Sequence, residues 1–210
     1  MSKVAFLGLG VMGFPMAGHL SSSYDLTVYN RTIKKAENWI NQYRGNLAMS
    51  PSEAAKDADF VFCCVGNDDD LKSVLLGDVG ALGSMKEGSL LIDHTTCSAR
   101  ITKELVIYSE KRGVGFVDAP VSGGQAGAEN GQLTIMCGGR QEHYEKVKPI
   151  ISNYAKFSSL MGPSGSGQLT KMVNQICIAG LLQALAEGLS FSKKANLDGK
   201  KVIDVISKGA

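Results

Sequence analysis

The stretch Lys3-Val-Ala-Phe-Leu-Gly8-Leu-Gly10-Val-Met-Gly13 decides the fold of this chain. Its first five residues form an apolar run that is typical of a buried parallel strand. The run leads into a G-x-G-x-x-G pattern, after which an amphipathic stretch continues to Leu20. A strand, a glycine-rich turn and a helix in this order predict a βαβ unit that binds a dinucleotide.

Each glycine of this turn has a physical task in such a unit. We expect Gly8 to make the tight turn, Gly10 to let the backbone approach a pyrophosphate, and Gly13 to let the helix close on the strand. The positive end of the helix would face the phosphates. The predicted cofactor-binding loop is Gly8, Leu9, Gly10, Val11, Met12 and Gly13. A glycine-rich turn without a ligand is the alternative.

The end of the second predicted strand, Asp25–Tyr29, indicates which dinucleotide binds. In NAD-selective sites an acidic residue about 20 positions after the loop binds the ribose hydroxyls. Here that position is the neutral Asn30, followed by Arg31 and Thr32. An arginine and a hydroxyl would hold a 2′-phosphate, so the sequence favours NADP, with NAD as the alternative. Arg31 could instead be a solvated charge that stacks on the adenine.

Strand and helix patterns then alternate, with further apolar strands at Asp59–Val65, Ser89–Asp93 and Gly115–Ala119. This alternation predicts an α/β fold with a Rossmann-type, doubly wound, mostly parallel sheet. Because the carboxyl ends of such strands line the ligand crevice, we expect Val65 and Thr96 at the cofactor. Alternatively, the Thr96 hydroxyl could cap the helix that starts near residue 99.

Three acids, Asp68, Asp69 and Asp70, follow the strand that ends at Val65. An anionic cofactor next to them argues against a metal site. We therefore interpret Asp69 and Asp70 as a solvated turn and helix start.

The segment Ser122-Gly123-Gly124 follows a strand that Pro120 terminates. A hydroxyl and unobstructed backbone N–H groups in a turn can form an anion-binding nest. Without a ligand, the same residues would make an ordinary turn. We expect the nest to hold a substrate carboxylate beside the cofactor.

A long helical pattern begins near Gln168 and continues to Ala195. It is apolar on nearly all faces, which is typical of a buried helix. Lys171 and Asn174 are neighbours on one face of it. The lysine could extend to the surface or sit in a pocket because chemistry needs it. The predicted cofactor and anion sites favour the pocket.

Composition excludes several classes of protein. The net charge of +2 predicts neither nucleic-acid nor membrane binding. The most apolar run, Ile176 to Phe191, is shorter than a bilayer span and contains Gln183 and Glu187.

The five cysteines form no C-x-x-C pair and indicate a reducing, cytoplasmic or organelle-matrix location. Residues 1–3 lead into a strand without a signal segment. Three histidines without ligand-like spacing predict no metal site.

Four motifs together resemble the β-hydroxyacid dehydrogenase family, which includes 3-hydroxyisobutyrate dehydrogenase and the tartronate-semialdehyde and glyoxylate/succinic-semialdehyde reductases. They are the glycine-rich loop of residues 8–13, Asp118-Ala-Pro-Val-Ser-Gly-Gly124, Gly165-x-Gly167 and Lys171-x-x-Asn174. The resemblance covers essentially the whole chain. It implies a Rossmann domain, residues 1–163, followed by an all-α domain that begins with the long helix, residues 164–210. It also implies that Lys171 is the catalytic acid/base.

This sequence departs from the family pattern at three points. Family members often carry asparagine where Gln175 stands, and we assign Gln175 to the substrate site. Relatives that act on 6-phosphogluconate have histidine at the position of Asn174, which argues against a sugar-phosphate substrate. The family continues for several helices beyond residue 210, so we expect the chain to be a fragment or a truncated product.

The expected reaction is reversible hydride transfer between NADP(H) and a small β-hydroxy acid or its semialdehyde. Ser122, Gly123 and Gly124 would hold the carboxylate, and Lys171 would exchange a proton with the substrate oxygen. Asn174 would bond that oxygen or orient the lysine. The rival interpretations are a non-catalytic NADP-binding scaffold and an inactive fragment.

The long helix also predicts self-association. Its apolar second half needs more cover than the short segment after it can provide. We expect a homodimer or homotetramer, held mainly by residues 176–206.

Overall fold

The computed structural model describes residues 2–209. Its strands are β1 Lys3–Leu7, β2 Asp25–Tyr29, β3 Asn46–Leu47, β4 Phe60–Cys63, β5 Leu90–Asp93, β6 Gly115–Asp118, β7 Val121–Ser122, β8 Leu133–Gly139 and β9 Ala155–Gly162. Its helices are α1 Gly13–Leu20, α2 Ile33–Ile40, α3 Pro51–Ala55, α4 Asp68–Leu76, α5 Ala81–Ser84, α6 Ala99–Glu110, α7 Gly124–Glu129, α8 Gln141–Ile151, α9 Ser166–Lys194 and α10 Gly199–Ile206.

The strands form one sheet in the order β3-β2-β1-β4-β5-β6-β8-β7, with β9 paired to β8. The first six strands are parallel, β8 runs antiparallel to β6 and β7, and β9 is parallel to β8. The order reverses between β1 and β4, which is where doubly wound sheets bind ligands. The predicted fold class, a Rossmann-type mostly parallel sheet followed by a long helix, is confirmed.

Both faces of the sheet are covered, as a parallel sheet requires. Successive residues of a strand point to opposite faces, and β1 follows this rule. Val4 and Phe6 join one buried apolar cluster, and Ala5 and Leu7 join the other. The first stretch of the sequence therefore lies at the centre of the core.

Several element ends differ from the predicted ones. Ser122 was expected in a turn, but it pairs with Thr134 in an antiparallel ladder, and the turn begins at Gly123. β8 begins at Leu133 and not earlier, because Gly131 has a φ of 65° in the preceding turn. A left-handed backbone does not fit a strand.

The chain consists of two compact units, and the division between them falls between Lys171 and Met172 inside α9. The domain boundary predicted between residues 163 and 164 lies at the start of the same helix. The sheet belongs to the first unit. The second unit consists of the rest of α9 and α10, whose first turn is capped by the Asp198 side chain.

Within the second unit, α9 presents large apolar side chains to solvent. Ile176 and Phe191 are each 71 % exposed. By length and composition α9 could also cross a membrane, and none of its most apolar window is buried. The sequence predicted that the apolar run is too short to span a bilayer, but that prediction considered only residues 176–191. The continuous helix is 29 residues long, so length does not exclude a span.

Candidate functional site

A cleft of about 420 Å³ opens at the carboxyl ends of β1, β2 and β4, at the point where the strand order reverses. It brings together most of the predicted cofactor-binding residues, although these lie far apart in the sequence. They are Gly8, Gly10, Val11, Met12, Gly13, Asn30, Arg31, Thr32 and Val65. Such a crevice is the usual ligand site of a doubly wound sheet.

The glycine-rich loop has the shape that a pyrophosphate needs. Gly8 has a φ of 98°, and a side chain there would overlap the backbone carbonyl of Cys64. A side chain at Gly13 would overlap the Gly8 carbonyl oxygen, whereas one at Gly10 would meet open space. Gly8 and Gly13 thus let strand and helix close, and Gly10 leaves an accessible backbone.

Helix α1 begins at this loop without a side-chain cap and without an acidic residue in its first turn. By contrast, side chains cap α3, α4 and α6. An uncapped helix start has N–H donors and a positive dipole end for an anion. These residues fit the phosphates of a dinucleotide.

Asn30 stabilises the loop itself. Its Oδ1 accepts a hydrogen bond from the Leu9 N–H at 2.9 Å, and its Nδ2 donates to the Thr32 carbonyl oxygen at 3.0 Å. Leu9 is buried, so its contribution to the loop is through the backbone. The side chain of Asn30 therefore connects the first and second βα turns.

Arg31 forms an ion pair with Asp70, with 2.6 Å between Nη1 and Oδ1. Both residues line the cleft. Asp70 lies in the first turn of α4, as expected from its place at a helix start. Its carboxylate is partly buried and faces the arginine across the crevice, so it is less solvated than the sequence predicted. Sequence patterns could not find this pair, because 39 residues separate its members.

Lys35 is a second cation that sequence reasoning missed. It lies in the first turn of α2 and lines the cleft together with Arg31 and Thr32. Among residues 2–209 it makes no ion pair. Its position in the sequence could have identified it, because Lys35 follows the predicted phosphate-binding segment, residues 30–32, by less than one helical turn.

At the end of β5, Thr95 contacts the lining of the cleft through Val65. The buried Thr95 hydroxyl oxygen accepts a hydrogen bond from the Val65 N–H at 3.1 Å. Thr96 is exposed and lies outside the lining of the cleft. The side chain that caps α6 is Ser98, so helix capping is not the role of Thr96.

Ser122, Gly123 and Gly124 lie at the junction of β7 and α7, outside the lining of the cleft. Gly123 and Gly124 have φ values of 130° and 61°, which leave the turn accessible to backbone approach. Ser122 is half-buried, and its hydroxyl makes no hydrogen bond within residues 2–209. The hydroxyl is therefore open to a ligand.

Asp118 anchors the start of α9. Its carboxylate is buried and accepts hydrogen bonds from the N–H groups of Gly165 at 2.7 Å and Gln168 at 3.0 Å. A carboxylate at a helix start satisfies N–H groups that have no partner in the helix. Asp118 was recognised only as part of a motif, and its role as an anchor was missed.

Gln168 is a second anchor. Its Nε2 donates to the Thr95 carbonyl oxygen at 2.6 Å, and its Oε1 accepts from the Cys97 N–H at 3.3 Å. The side chain is buried. It thereby connects the first turn of α9 to the end of β5.

Lys171 lies one turn after Gln168 and is also buried. Burial lowers the pKa of its ammonium group, because removal from water disfavours the charged form. The catalytic role of Lys171 and its surface alternative both stay predictions. A lysine with a lowered pKa can exchange protons closer to neutral pH.

Asn174 and Gln175 fall in the second unit. The Asn174 Nδ2 donates to the Gln175 Oε1 at 3.0 Å. The amide of Asn174 therefore has its neighbour as partner, and the predicted contact with substrate stays a prediction.

Comparison with known proteins places the chain in a family. The family model for the NAD binding domain of 6-phosphogluconate dehydrogenase matches residues 3–188. A protein of Shewanella frigidimarina named uncharacterized oxidoreductase is 61 % identical over all of this chain and 72 % of its own length. A probable 3-hydroxyisobutyrate dehydrogenase-like protein of Arabidopsis thaliana is 39 % identical over all of this chain and 70 % of its own length.

The chain belongs to the 3-hydroxyisobutyrate dehydrogenase family. It is an oxidoreductase of the β-hydroxyacid dehydrogenase type with an NAD(P)-binding domain. The solved structure of Mycobacterium tuberculosis 3-hydroxyisobutyrate dehydrogenase with L-serine superimposes with a TM-score of 0.91. That structure is 27 % identical and covers all of this chain and 71 % of its own. The family resemblance predicted from four motifs is confirmed.

Proposed function

We propose that the protein transfers a hydride between NADP(H) and a small β-hydroxy acid or its semialdehyde, with Lys171 as general acid/base. The observation that carries the proposal is the buried lysine on a helix that Asp118 and Gln168 anchor. Within residues 2–209 no acidic side chain pairs with this lysine. Burial of an unpaired lysine has an energetic cost, which a catalytic role explains.

The glycine-rich loop would hold the pyrophosphate, and Arg31, Thr32 and Lys35 would bind the 2′-phosphate. Three donors, two of them cationic, at one end of the cleft support NADP over NAD. The bound nicotinamide supplies or accepts the hydride, and the protein orients the substrate and moves its proton.

Ser122 and the backbone N–H groups of Gly123 and Gly124 would bind the substrate carboxylate. Lys171 would donate a proton to the carbonyl oxygen during reduction and remove it during oxidation. Asn174 and Gln175 would contact the substrate or orient the lysine. The substrate class is supported by two relatives, one named for 3-hydroxyisobutyrate and one solved with L-serine, since both compounds are small β-hydroxy carboxylates.

The role of Lys171 is tested in the full-length protein with NADPH, NADH and a panel of semialdehydes and glyoxylate. Lys171→Ala should lower turnover by about a hundredfold or more, because proton transfer contributes that much. NADPH binding should stay nearly unchanged. Lys193→Ala, in the last turn of the same helix, is the matched control. Turnover of Lys171→Ala within a few fold of the parent would exclude the catalytic role.

The choice of cofactor is tested by fluorescence titration of NADPH and NADH. Arg31→Ala should weaken NADPH binding about tenfold and NADH far less, because a charge-assisted bond to the phosphate is lost. Equal weakening of both cofactors, or tighter binding of NADH by the parent, would contradict the NADP assignment. Tight NADPH binding without turnover on any substrate would instead favour a non-catalytic scaffold.

The same proposal includes a homodimer or homotetramer formed through residues 176–206 and a cytoplasmic location. The exposed apolar side chains of α9 support self-association. The cysteines support a reducing compartment, since the free thiols Cys63, Cys97 and Cys137 are all buried.

A further inference from the structure

The segment that follows β2, residues 30–32, contains no carboxylate for the ribose of NAD. An acidic residue would usually receive the ribose hydroxyls there, but this chain has Asn30. Both polar groups of the Asn30 side chain already bond backbone atoms, those of Leu9 and Thr32. A ribose recognition group must therefore come from another element.

Asp70 provides a carboxylate at the same end of the cleft from α4. It lines the cleft with Arg31, Lys35 and Ser73, and its Oδ1 lies 2.6 Å from the Arg31 Nη1. Among the described residues that line this cleft, no other is acidic. Within residues 2–209, Asp70 is thus the one carboxylate positioned to meet the adenosine ribose.

The carboxylate is the better-held member of the pair. The Asp70 side chain is 24 % exposed, whereas that of Arg31 is 76 % exposed. Asp70 lies in the first turn of α4, and its N–H donates to the capping Asn67 Oδ1 at 2.9 Å. Its carboxylate packs over Gly66, where a Cβ would come within 2.7 Å of the Asp70 Oδ2. The arginine can move away while the carboxylate stays.

We propose that Asp70 is a specificity-determining residue, whose carboxylate accepts hydrogen bonds from the ribose hydroxyls of NAD and competes with the 2′-phosphate of NADP for Arg31. The inference rests on the proposed function, in which a nicotinamide dinucleotide occupies this cleft. A hydroxyl donates to a carboxylate, but a phosphate is an anion that a neighbouring carboxylate repels. The cleft thus carries donors for the 2′-phosphate of NADP and one carboxylate for the ribose of NAD, and Asp70 limits the preference for NADP.

The experiment compares the Kd of NADPH and NADH for the parent, Asp70→Asn and Asp69→Asn. Asp70→Asn should bind NADPH about threefold or more tightly and NADH correspondingly more weakly, as expected for the loss of one charged partner. Asp69→Asn removes the same charge from the same helical turn, but Asp69 is exposed and lies outside the cleft. At physiological salt, this control should leave both constants within about twofold, because exposed charges are screened.

A double-mutant cycle separates the two effects of Asp70. With Arg31→Ala in the background, Asp70→Asn should improve NADPH binding less than it does in the parent, because no arginine is released. An equal gain in both backgrounds would show that Asp70 does not compete for Arg31 and would overturn that half of the proposal. Thermal unfolding of each variant confirms that the fold is retained.

Other outcomes separate this inference from the function on which it rests. Equal changes in NADPH and NADH binding, or the same response from Asp69→Asn, would overturn the role of Asp70. A parent that prefers NADH would refute the NADP assignment, while a loss of NADH affinity in Asp70→Asn would still support the ribose contact. A parent that binds neither cofactor would refute both.

Discussion

At the scale of single residues, two buried titratable groups at the end of β5 have opposite effects on stability. Burial raises the pKa of Asp93 to about 7 and lowers that of His94 to about 4. The His94 Nδ1–H donates to the Ala119 carbonyl oxygen, and its Nε2 accepts from the Tyr154 hydroxyl. In the folded state burial favours the uncharged form of both groups, which is the protonated carboxylic acid for Asp93 and the deprotonated imidazole for His94.

The sign of each effect follows from linkage. Because the folded pKa of Asp93 exceeds its unfolded value of 3.8, its contribution is fully present below about pH 4 and is lost as pH rises through about 7. Because the folded pKa of His94 lies below 6.5, its contribution is present above that pH and is lost as pH falls towards 4. The two contributions oppose each other between these limits.

Replacement of Asp93 should reveal this balance. We expect the free energy of unfolding of Asp93→Asn to rise relative to the parent between pH 4 and 8, by on the order of 4 kcal/mol. Urea denaturation across this pH range measures the difference. In the control Asp59→Asn, stability should fall relative to the parent as pH rises through about 4, because the hydrogen bond from Lys86 lowers the pKa of Asp59. A pH-independent difference for Asp93→Asn would contradict the buried-acid interpretation.

Residue types were predictable at this scale, but their pairing was not. Arg31 was identified from its place after β2, and Asp70 was assigned to a solvated helix start because an anionic cofactor nearby argued against a metal site. The fold brings them to opposite sides of one cleft. No local pattern encodes a contact between a βα turn and a distant helix.

At the scale of elements, α9 depends on how its first turn is held. The helix was predicted from Gln168 because apolar residues recur along it, and it begins at Ser166. Its two anchors, Asp118 and Gln168, connect it to β6 and to the end of β5. Hydrophobic periodicity predicts which residues are helical. It cannot predict which distant strand ends form hydrogen bonds with the first turn of the helix.

Loss of the glutamine anchor should destabilise the first unit. Gln168→Met would leave the Thr95 carbonyl oxygen and the Cys97 N–H buried without partners. Each unsatisfied group costs about 1–3 kcal/mol, so we expect a loss of about 2–4 kcal/mol in the free energy of unfolding. The control Gln141→Met, at an exposed position of α8, should change stability by about 0.5 kcal/mol or less. Equal effects in urea denaturation would count against the anchor.

At the scale of the whole molecule, α9 and α10 have large apolar side chains that are exposed to solvent. Leu181 and Phe191 are 69 % and 71 % exposed, and Val205 on α10 is 70 % exposed. Large apolar side chains exposed in this way are typical of an interaction site. A second copy of the chain is the partner we propose, because equivalent helices can pack in a two-fold pair.

Light scattering at micromolar concentration tests this assembly. The parent should have the mass of a dimer or tetramer, and Leu181→Glu combined with Phe191→Glu should lower it, because a charge in an apolar interface is costly. The control Met49→Glu alters an apolar residue of similar exposure, 68 %, in the first unit and should leave the mass unchanged. A monomeric parent in which residues 176–206 remain helical would exclude the proposed interface.

The sequence by itself determined the fold class, the position of the glycine-rich loop and the family. These depend on local features, namely an apolar run before G-x-G-x-x-G, the alternation of strand and helix patterns, and motifs whose spacing is visible in the sequence. Tertiary structure alone decided that Asp70 faces Arg31, that Asp118 and Gln168 anchor α9, and that Ser122 joins a ladder. The physical reason is that ion pairs, caps and strand pairing join residues that only chain folding brings within bonding distance.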